Sequence, residues 1–219
     1  MATVIFDFDS VLVPCESLEV VLARSEGLSA EQFAEIEAIT VEGMEGRIPF
    51  GESLKQRLAI AQPDIGTLMA FGWKLADEPT AGARDLVQKL TADGHEVWIV
   101  SGGFQEILVE VGGRLGIPPE RIYGVRAHWD DEGYFAGLDE ESAFCRSKVE
   151  GLTQVAADYP RPAIGVGDGA TDLALKEAGL VDHFVAYTEH ARREPVVAGA
   201  DAEADSMLAL GEVLATLLA

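Results

Sequence analysis

The chain has few cysteines and few basic residues, and each shortage excludes a class of protein. Its 219 residues include only Cys15 and Cys145, which supply neither a disulfide framework nor the ligand spacing of a zinc site. There are 16 lysines and arginines against 38 aspartates and glutamates, so the formal net charge is -22. A field of that sign repels nucleic acids and anionic membrane surfaces, so we expect no nucleic-acid partner and no membrane partner.

Long apolar runs and nucleotide-binding loops are missing as well. No stretch approaches the ~20 apolar residues that a membrane span requires. The first apolar run is interrupted at Asp7 and has no basic segment before it, unlike a signal peptide. We therefore expect a cytoplasmic protein with reduced thiols. The absence of a Gly-x-x-x-x-Gly-Lys-Ser/Thr loop argues against an ordinary nucleotide triphosphatase.

The apolar pattern predicts a domain with a helical insert. Helical spacing predicts four short helices between Pro14 and Asp77, one of them with Phe33 and Ile36 on its inner face. On either side of this stretch, strand and helix patterns alternate, which predicts an α/β, Rossmann-like parallel sheet with helices on both faces. We predict a core domain of residues 1–13 and 78–219, and a small helical-bundle cap domain of residues 14–77.

Local signals place several element ends. Ser29 with Gln32 forms a capping-box pattern at the start of a helix, and Thr80 is a candidate cap of another. A hairpin is predicted from residues 122–129 and 134–138, with a turn of acidic residues and glycine between them. Residues 101–103, Ser-Gly-Gly, follow a strand and predict a turn before the next helix.

Polar side chains follow three predicted strands. Asp7 comes directly after the strand at 4–6, Ser101 after the strand at 96–100, and Asp168 after the strand at 163–167. The carboxyl ends of parallel strands meet at one edge of a sheet, where ligands of such sheets bind. A lone aspartate after a strand is usually a cap, and Ser-Gly-Gly alone is usually a plain turn. Their convergence at one edge instead predicts a functional site.

The residue types in that group favour a metal and an anion. Asp9 and Asp172 add carboxylates beside Asp7 and Asp168. Carboxylates this close together repel one another unless a cation lies between them. Oxygen ligands without histidine or cysteine favour a hard ion such as Mg²⁺. A glycine-rich turn at a helix N-terminus is a natural oxyanion site. Lys148 lies in a first helical turn, where the helix dipole disfavours a cation, so we expect it to serve a ligand or a carboxylate.

Four short motifs in order resemble those of the haloacid dehalogenase-like phosphatase superfamily. They are Asp7-Phe-Asp-Ser-Val11, Ser101 after a strand, Lys148, and Gly167-Asp-Gly-Ala-Thr-Asp172. Within that superfamily the chain is similar to the phosphoserine phosphatase subfamily. The matching segments are Glu16, Met44 to Phe50, Ser53 to Arg57, and Val100 to Phe104. The insert at 14–77 lies where that subfamily carries its cap.

The resemblance implies roles for the core residues. Asp7 is implied as the nucleophile that forms an aspartyl-phosphate, and Asp9 as the acid and then the base for the leaving hydroxyl and the water. Mg²⁺ is implied to bind the Asp7 side chain, the Asp9 main-chain carbonyl and Asp168, with Asp172 ligating through water or orienting the ligands. The phosphoryl group is implied to contact Ser101, Gly102, Gly103, Lys148 and Thr171.

The resemblance also implies a binding site for the rest of the substrate. Glu16 is implied to pair with a substrate ammonium and Arg57 with its carboxylate. Phe50 and Arg57 are seven residues apart, so they share one face of a helix, and Met44 is implied to pack over the substrate. The implied activity is Mg²⁺-dependent hydrolysis of O-phospho-L-serine, the last step of serine synthesis.

Departures from the subfamily pattern and three alternatives remain. Val11 and Thr171 replace a common Thr and Asn, and Lys148 follows Arg146-Ser rather than a glycine, which leaves substrate preference open. The alternatives are a phosphotransferase, a phosphatase for another small phosphomonoester, and a phosphate-responsive receiver-type domain. A receiver domain carries its phosphorylated aspartate after a later strand and has no large helical insert. In each enzymatic reading the partner is a small phosphomonoester, and the sequence leaves a homodimer open.

Overall fold

A computed structural model describes residues 1–25, 27–44, 47–155 and 159–218. Within them the strands are β1 Thr3–Phe6, β2 Glu96–Phe104, β3 Ile122–Val125, β4 Ala127–Trp129, β5 Phe135–Leu138, β6 Ala163–Gly167, β7 His183–Tyr187 and β8 Ala202–Ala204. The α-helices are α1 Ser17–Ala23, α2 Ala30–Met44, α3 Phe50–Ala61, α4 Ile65–Asp77, α5 Ala83–Ala92, α6 Gln105–Leu115, α7 Lys148–Val155, α8 Ala170–Glu177, α9 Glu194–Gly199 and α10 Met207–Leu217.

The central sheet is parallel throughout and has the order β3-β2-β1-β6-β7-β8. The first strand of the chain lies in its middle, with Phe6 level with Ile99 on one side and Val166 on the other. Every residue of β1 is buried, because helices cover both faces of the sheet. Ile5 and Phe6 belong to two different clusters of the hydrophobic core. The predicted Rossmann-like sheet is therefore confirmed.

Four helices, α1 to α4, separate β1 from α5, as the apolar spacing predicts. The capping box is present: the Gln32 amide donates to Ser29 Oγ at 3.2 Å, and the Ser29 amide donates to Gln32 Oε1 at 3.0 Å. Ile36 is buried, but the prediction that Phe33 faces inward is wrong, since 39% of its surface is exposed. Phe33 lies one turn before Ile36 on the same side of the helix, but it borders a surface groove beside α1 instead of a closed core.

Two predicted boundaries are also wrong. The N-cap position of α5 is Gly82, at φ 85°, and the Thr80 hydroxyl is instead hydrogen-bonded to His190 Nε2 at 2.9 Å. Residues 101–103 do not form a turn, because β2 continues through Phe104 and α6 begins at Gln105. The register against β3 shifts between Val100 and Phe104. Gly102 and Gly103 allow the strand to end irregularly. Because glycine is also common in turns, the sequence predicts a turn here instead.

The predicted hairpin is divided between two sheets. Ile122–Val125 joins the edge of the central sheet, and only Ala127–Trp129 pairs antiparallel with Phe135–Leu138. The hairpin also contacts the helical insert, since the Ile65 amide donates to Gly133 O at 2.9 Å and the Phe135 amide to Pro63 O at 3.0 Å. The short elements α9 and β8 were not predicted, because six and three residues are too few for a periodic signal.

Candidate active site

Three neighbouring strands bring the predicted polar residues to one edge of the sheet. Asp7 follows β1, Asp168 follows β6, and Ser101 lies in the C-terminal half of β2. The Asp7 amide donates to Val166 O at 2.8 Å, which holds its backbone in register with β6. All three side chains are buried. The convergence that the sequence predicts is therefore present, and it follows from the parallel arrangement of β2, β1 and β6.

Lys148 lies between two of the buried carboxylates. Its Nζ is 2.7 Å from Asp7 Oδ1 and 2.5 Å from Asp172 Oδ1. Burial by itself lowers the pKa of the Lys148 ammonium, but the charges of Asp172 and Asp7 outweigh that effect and raise it. Burial and repulsion by Asp7 raise the pKa of Asp172, against the opposing effect of Lys148. Lys148 thus contacts two carboxylates, whereas the sequence predicts that it serves either a ligand or a carboxylate.

A divalent ion fits the acidic cluster. One carboxylate oxygen from each of Asp7, Asp168 and Asp172 lies within 4.8 Å of the others. All are hard oxygen donors, as Mg²⁺ and similar ions require. Asp168 Oδ2 is buried, accepts no hydrogen bond of normal geometry within the described residues, and forms an ion pair with Arg193. The donor set of three carboxylates therefore suits a small hard cation.

Asp9 is held beside the cluster by the first residue of α1. The Ser17 amide donates to Asp9 Oδ1 at 3.0 Å, and its hydroxyl donates to Oδ2 at 3.1 Å. Burial, with repulsion by Asp7 and Glu16, raises the pKa of Asp9 to about 8, while the two bonds from Ser17 oppose that rise. A carboxyl group with such a pKa carries a proton at neutral pH and can donate it.

The Ser-Gly-Gly segment lies under the helical insert. The Gly103 amide donates to Ser101 Oγ at 3.1 Å. A Cβ on Gly102 would lie 3.0 Å from Phe50 Cζ, and one on Gly103 would lie 3.1 Å from Ser17 Oγ. The insert therefore approaches the backbone at two adjacent glycines, and Phe50 lies over Gly102. A Cβ at either position would require the neighbouring side chain of the insert, Phe50 or Ser17, to shift by a few tenths of an ångström.

The predicted residues of the insert are found in two groups. Glu16 Oε1 accepts a hydrogen bond from Ser10 Oγ at 2.9 Å and lies 3.8 Å from Arg193 Nη2, close to the acidic cluster. Arg57 is buried in α3, and its Nη1 lies 2.5 Å from Glu19 Oε1. Thr171 is exposed in the first turn of α8, next to Asp172. The prediction for the Met44 side chain lies outside the described residues.

Three residues at the site were not found by reasoning from the sequence. Ser17 and Glu19 follow Glu16 in the same helix, so their spacing was the available signal for proximity. Arg193 contacts Asp168 and Glu16 from the segment before α9, and it also donates through Nη1 to Asp168 O at 3.1 Å. It belongs to no motif, and only the chain path between β7 and α9 brings it to the site.

The structure has a candidate catalytic centre at the carboxyl edge of a parallel sheet, and comparisons with known proteins agree on its class. The sequence profile of the haloacid dehalogenase-like hydrolase family matches residues 1–179. The chain therefore belongs to the haloacid dehalogenase-like hydrolase family and is an enzyme. Within its described residues, no helix is both long enough and apolar enough to cross a membrane.

Particular relatives are named for one activity. The chain is 30% identical over 200 residues to the phosphoserine phosphatase of Rattus norvegicus, covering 88% of this chain and 84% of that protein. It is 34% identical over 166 residues to the chloroplastic phosphoserine phosphatase of Arabidopsis thaliana, covering 74% of this chain but only 56% of that protein. A solved phosphoserine phosphohydrolase-like protein from Francisella tularensis is 38% identical, with a TM-score of 0.89 over 97% of this chain and 99% of that one.

Proposed function

We propose that this enzyme is a Mg²⁺-dependent phosphatase that hydrolyses O-phospho-L-serine to L-serine and phosphate in the cytoplasm, as a step of serine synthesis. The names of the relatives support the substrate. The observation that carries the chemistry is the contact of Lys148 with Asp7 at 2.7 Å, beside the cluster of buried carboxylates. A carboxylate that is held by a cation at a sheet edge is a suitable nucleophile for a phosphoryl group.

The proposed reaction has two displacements at phosphorus. A carboxylate oxygen of Asp7 attacks phosphorus, the bond from phosphorus to the serine oxygen breaks, and Asp9 gives its proton to that oxygen. Water then attacks the aspartyl-phosphate, Asp9 takes a proton from the water, and phosphate leaves with the Asp7 carboxylate restored. The raised pKa of Asp9, about 8, supports its first role as an acid at neutral pH.

The phosphoryl group must be bound despite the acidity of the chain. Mg²⁺, when bound, supplies positive charge that reduces repulsion between the carboxylates and the substrate. We assign its ligands to the Asp7 side chain, the Asp9 main-chain carbonyl and Asp168, with Asp172 acting through water or by orientation. We assign the phosphoryl oxygens to the Lys148 ammonium, the Ser101 hydroxyl, and the segment of Gly102 and Gly103, with Thr171 beside them.

The helical insert is proposed as a cap domain, residues 14–77, that reads the amino-acid part of the substrate. Glu16 is the proposed partner of the substrate ammonium, and its place between Ser10 and Arg193 beside the acidic cluster supports this. Arg57 is the proposed partner of the carboxylate. Phe50, which lies over Gly102, is proposed to exclude water from the bound ester.

A panel of phosphomonoesters tests the proposal. Phosphoserine, phosphoethanolamine, a sugar phosphate and an aryl phosphate would be compared with Mg²⁺ and with chelator. We expect the highest kcat/KM with phosphoserine and loss of turnover with chelator. Equal turnover of all four esters would refute the substrate assignment. Formation of a phosphorylated alcohol when acceptor alcohols are added would favour the phosphotransferase alternative.

A further inference from the structure

Glu19 contacts the guanidinium that the proposed function assigns to the substrate carboxylate. Arg57 Nη1 lies 2.5 Å from Glu19 Oε1 and also donates to Thr40 Oγ1 at 3.3 Å. Arg57 Nε donates to Ser53 O at 3.3 Å. Nε and Nη1 are therefore both engaged within the protein before any substrate arrives. A carboxylate that binds Arg57 with two hydrogen bonds must take at least one of these positions.

The two partners differ in exposure. The Arg57 side chain is 6% exposed, whereas that of Glu19 is 36% exposed. A buried guanidinium without a counter-charge is costly, so the free protein needs Glu19 beside Arg57. Burial raises the pKa of Glu19, although Arg57 lowers it in part. Glu19 thus compensates the cation from a position at the surface, from which its side chain can turn toward water.

A groove beside Glu19 can accommodate its side chain after a rotation away from Arg57. A surface groove of about 280 Å³ between α1 and α2 is lined by Glu19, Phe33 and Glu37 among others. Rotation of the Glu19 side chain into this groove would free Arg57 Nη1. Two carboxylates paired with one guanidinium repel each other, so close approach of the substrate carboxylate weakens the contact between Glu19 and Nη1.

We propose that Glu19 is a specificity-determining residue, an internal counter-ion that competes with the substrate carboxylate for Arg57. This inference rests on the proposed function. Only an ester with a carboxylate displaces Glu19, and an ester with an ammonium alone leaves the pair of Glu19 and Arg57 intact. The competition weakens binding of the correct substrate and keeps the buried cation compensated when the site is empty.

The test compares Glu19→Gln with the parent enzyme on phosphoserine and on phosphoethanolamine, which has the ammonium but no carboxylate. We expect the KM for phosphoserine to fall roughly 2- to 5-fold, the range that one partly exposed ion pair carries. The KM for phosphoethanolamine should not fall in parallel. Glu35→Gln is the matched control, because it removes a carboxylate from the exposed side of α2 at a position that does not line the groove, and it should leave both KM values unchanged.

The same substitution in an Arg57→Gln background shows whether Glu19 competes with the substrate for Arg57 or positions Arg57. In Arg57→Gln, the additional change Glu19→Gln should no longer lower the KM for phosphoserine, since no guanidinium remains to be released. A rise in that KM on Glu19→Gln in the parent enzyme would overturn the proposal, because Glu19 would then position Arg57 rather than compete for it. Equal falls for both esters would overturn it too. Glu19→Ala, which admits water at this partly exposed position, replaces Glu19→Gln if the latter does not fold.

The same measurements separate this inference from the proposed function. If the parent enzyme does not prefer phosphoserine to phosphoethanolamine, the carboxylate is not recognised and the proposed substrate is wrong. If the parent enzyme has that preference and Glu19→Gln fails to lower the KM for phosphoserine, only the role of Glu19 is wrong.

Discussion

Lys148 Nζ lies 2.7 Å from Asp7 Oδ1, and each of the two side chains is 9% exposed. The contact joins the start of α7 to the end of the central strand β1. Asp172 takes a second position on the same ammonium. The buried Lys148 ammonium thus neutralises two carboxylates that are shielded from water. The stability of the fold and the proposed chemistry therefore depend on the same side chain.

Lys148→Ala should destabilise the protein strongly. It leaves Asp7 and Asp172 buried without their cation, and breaking a buried pair in this way costs about 3–5 kcal/mol. Urea unfolding in chelator gives the free energy. Lys55→Ala is the matched control, because Lys55 pairs with Glu140 at 2.6 Å but is exposed; it should change stability little. A similar loss for both variants would contradict the importance of burial. Added Mg²⁺ should stabilise Lys148→Ala more than the parent.

Asp7→Asn should remove turnover while the fold remains. The amide of Asn cannot attack phosphorus, and loss of a nucleophile lowers kcat by roughly 10⁴-fold or more. Release of phosphate in a single-turnover assay measures the effect. Asp131→Asn, in the exposed hairpin turn, is the control and should retain parental activity. Residual turnover within tenfold of the parent would show that Asp7 is not the nucleophile.

The raised pKa of Asp9 predicts a pH-dependent stability in the absence of metal. The folded protein holds this proton up to about pH 8, whereas an unfolded aspartate loses it near 3.8. The contribution is therefore complete below the unfolded pKa and is lost as the pH rises through the folded pKa. The free energy of unfolding should fall across that window, by at most about 1.4 kcal/mol per pH unit for one proton.

Asp9→Asn isolates this effect, because Asn does not titrate. The pKa of Asp172 is raised as well and acts in the same direction, so the parent and the variant must be compared in chelator at several pH values. We expect a shallower fall in Asp9→Asn. Parallel curves from pH 4 to 8 would show that folding does not raise the pKa of Asp9.

Gly102→Ala should weaken substrate binding through the cap. Its new Cβ would lie 3.0 Å from Phe50 Cζ, so Phe50 must move away from the sheet edge. We expect a higher KM for phosphoserine, with partial recovery in the double variant Gly102→Ala, Phe50→Leu. Gly113→Ala is the control: it lies in α6 with nothing within 4 Å of its Cβ, and it should stabilise the helix by about 0.5–1 kcal/mol. Unchanged KM in Gly102→Ala would show that Phe50 does not cover the bound substrate.

The core of the site was predictable because its signals are local. Apolar runs that end in Asp7 and Asp168 identify both the strands and their carboxyl ends, and parallel pairing then brings those ends together. The prediction of a turn at residues 101–103 was wrong, because glycine allows an irregular strand as readily as a turn. Spacing placed Phe33 on the same face as the buried Ile36, but Phe33 borders a surface groove beside α1 and remains 39% exposed.

The sequence by itself determined the parallel sheet, the helical insert and the meeting of acidic residues at one sheet edge, because hydrophobic periodicity and the alternation of strands with helices are chain-local patterns. Only the tertiary structure decided that Glu19 pairs with Arg57 and that Arg193 reaches Asp168. Those contacts depend on how helices and a connecting segment pack against one another. No periodicity of the chain encodes that packing, since it is set by the shapes of side chains that are distant in sequence.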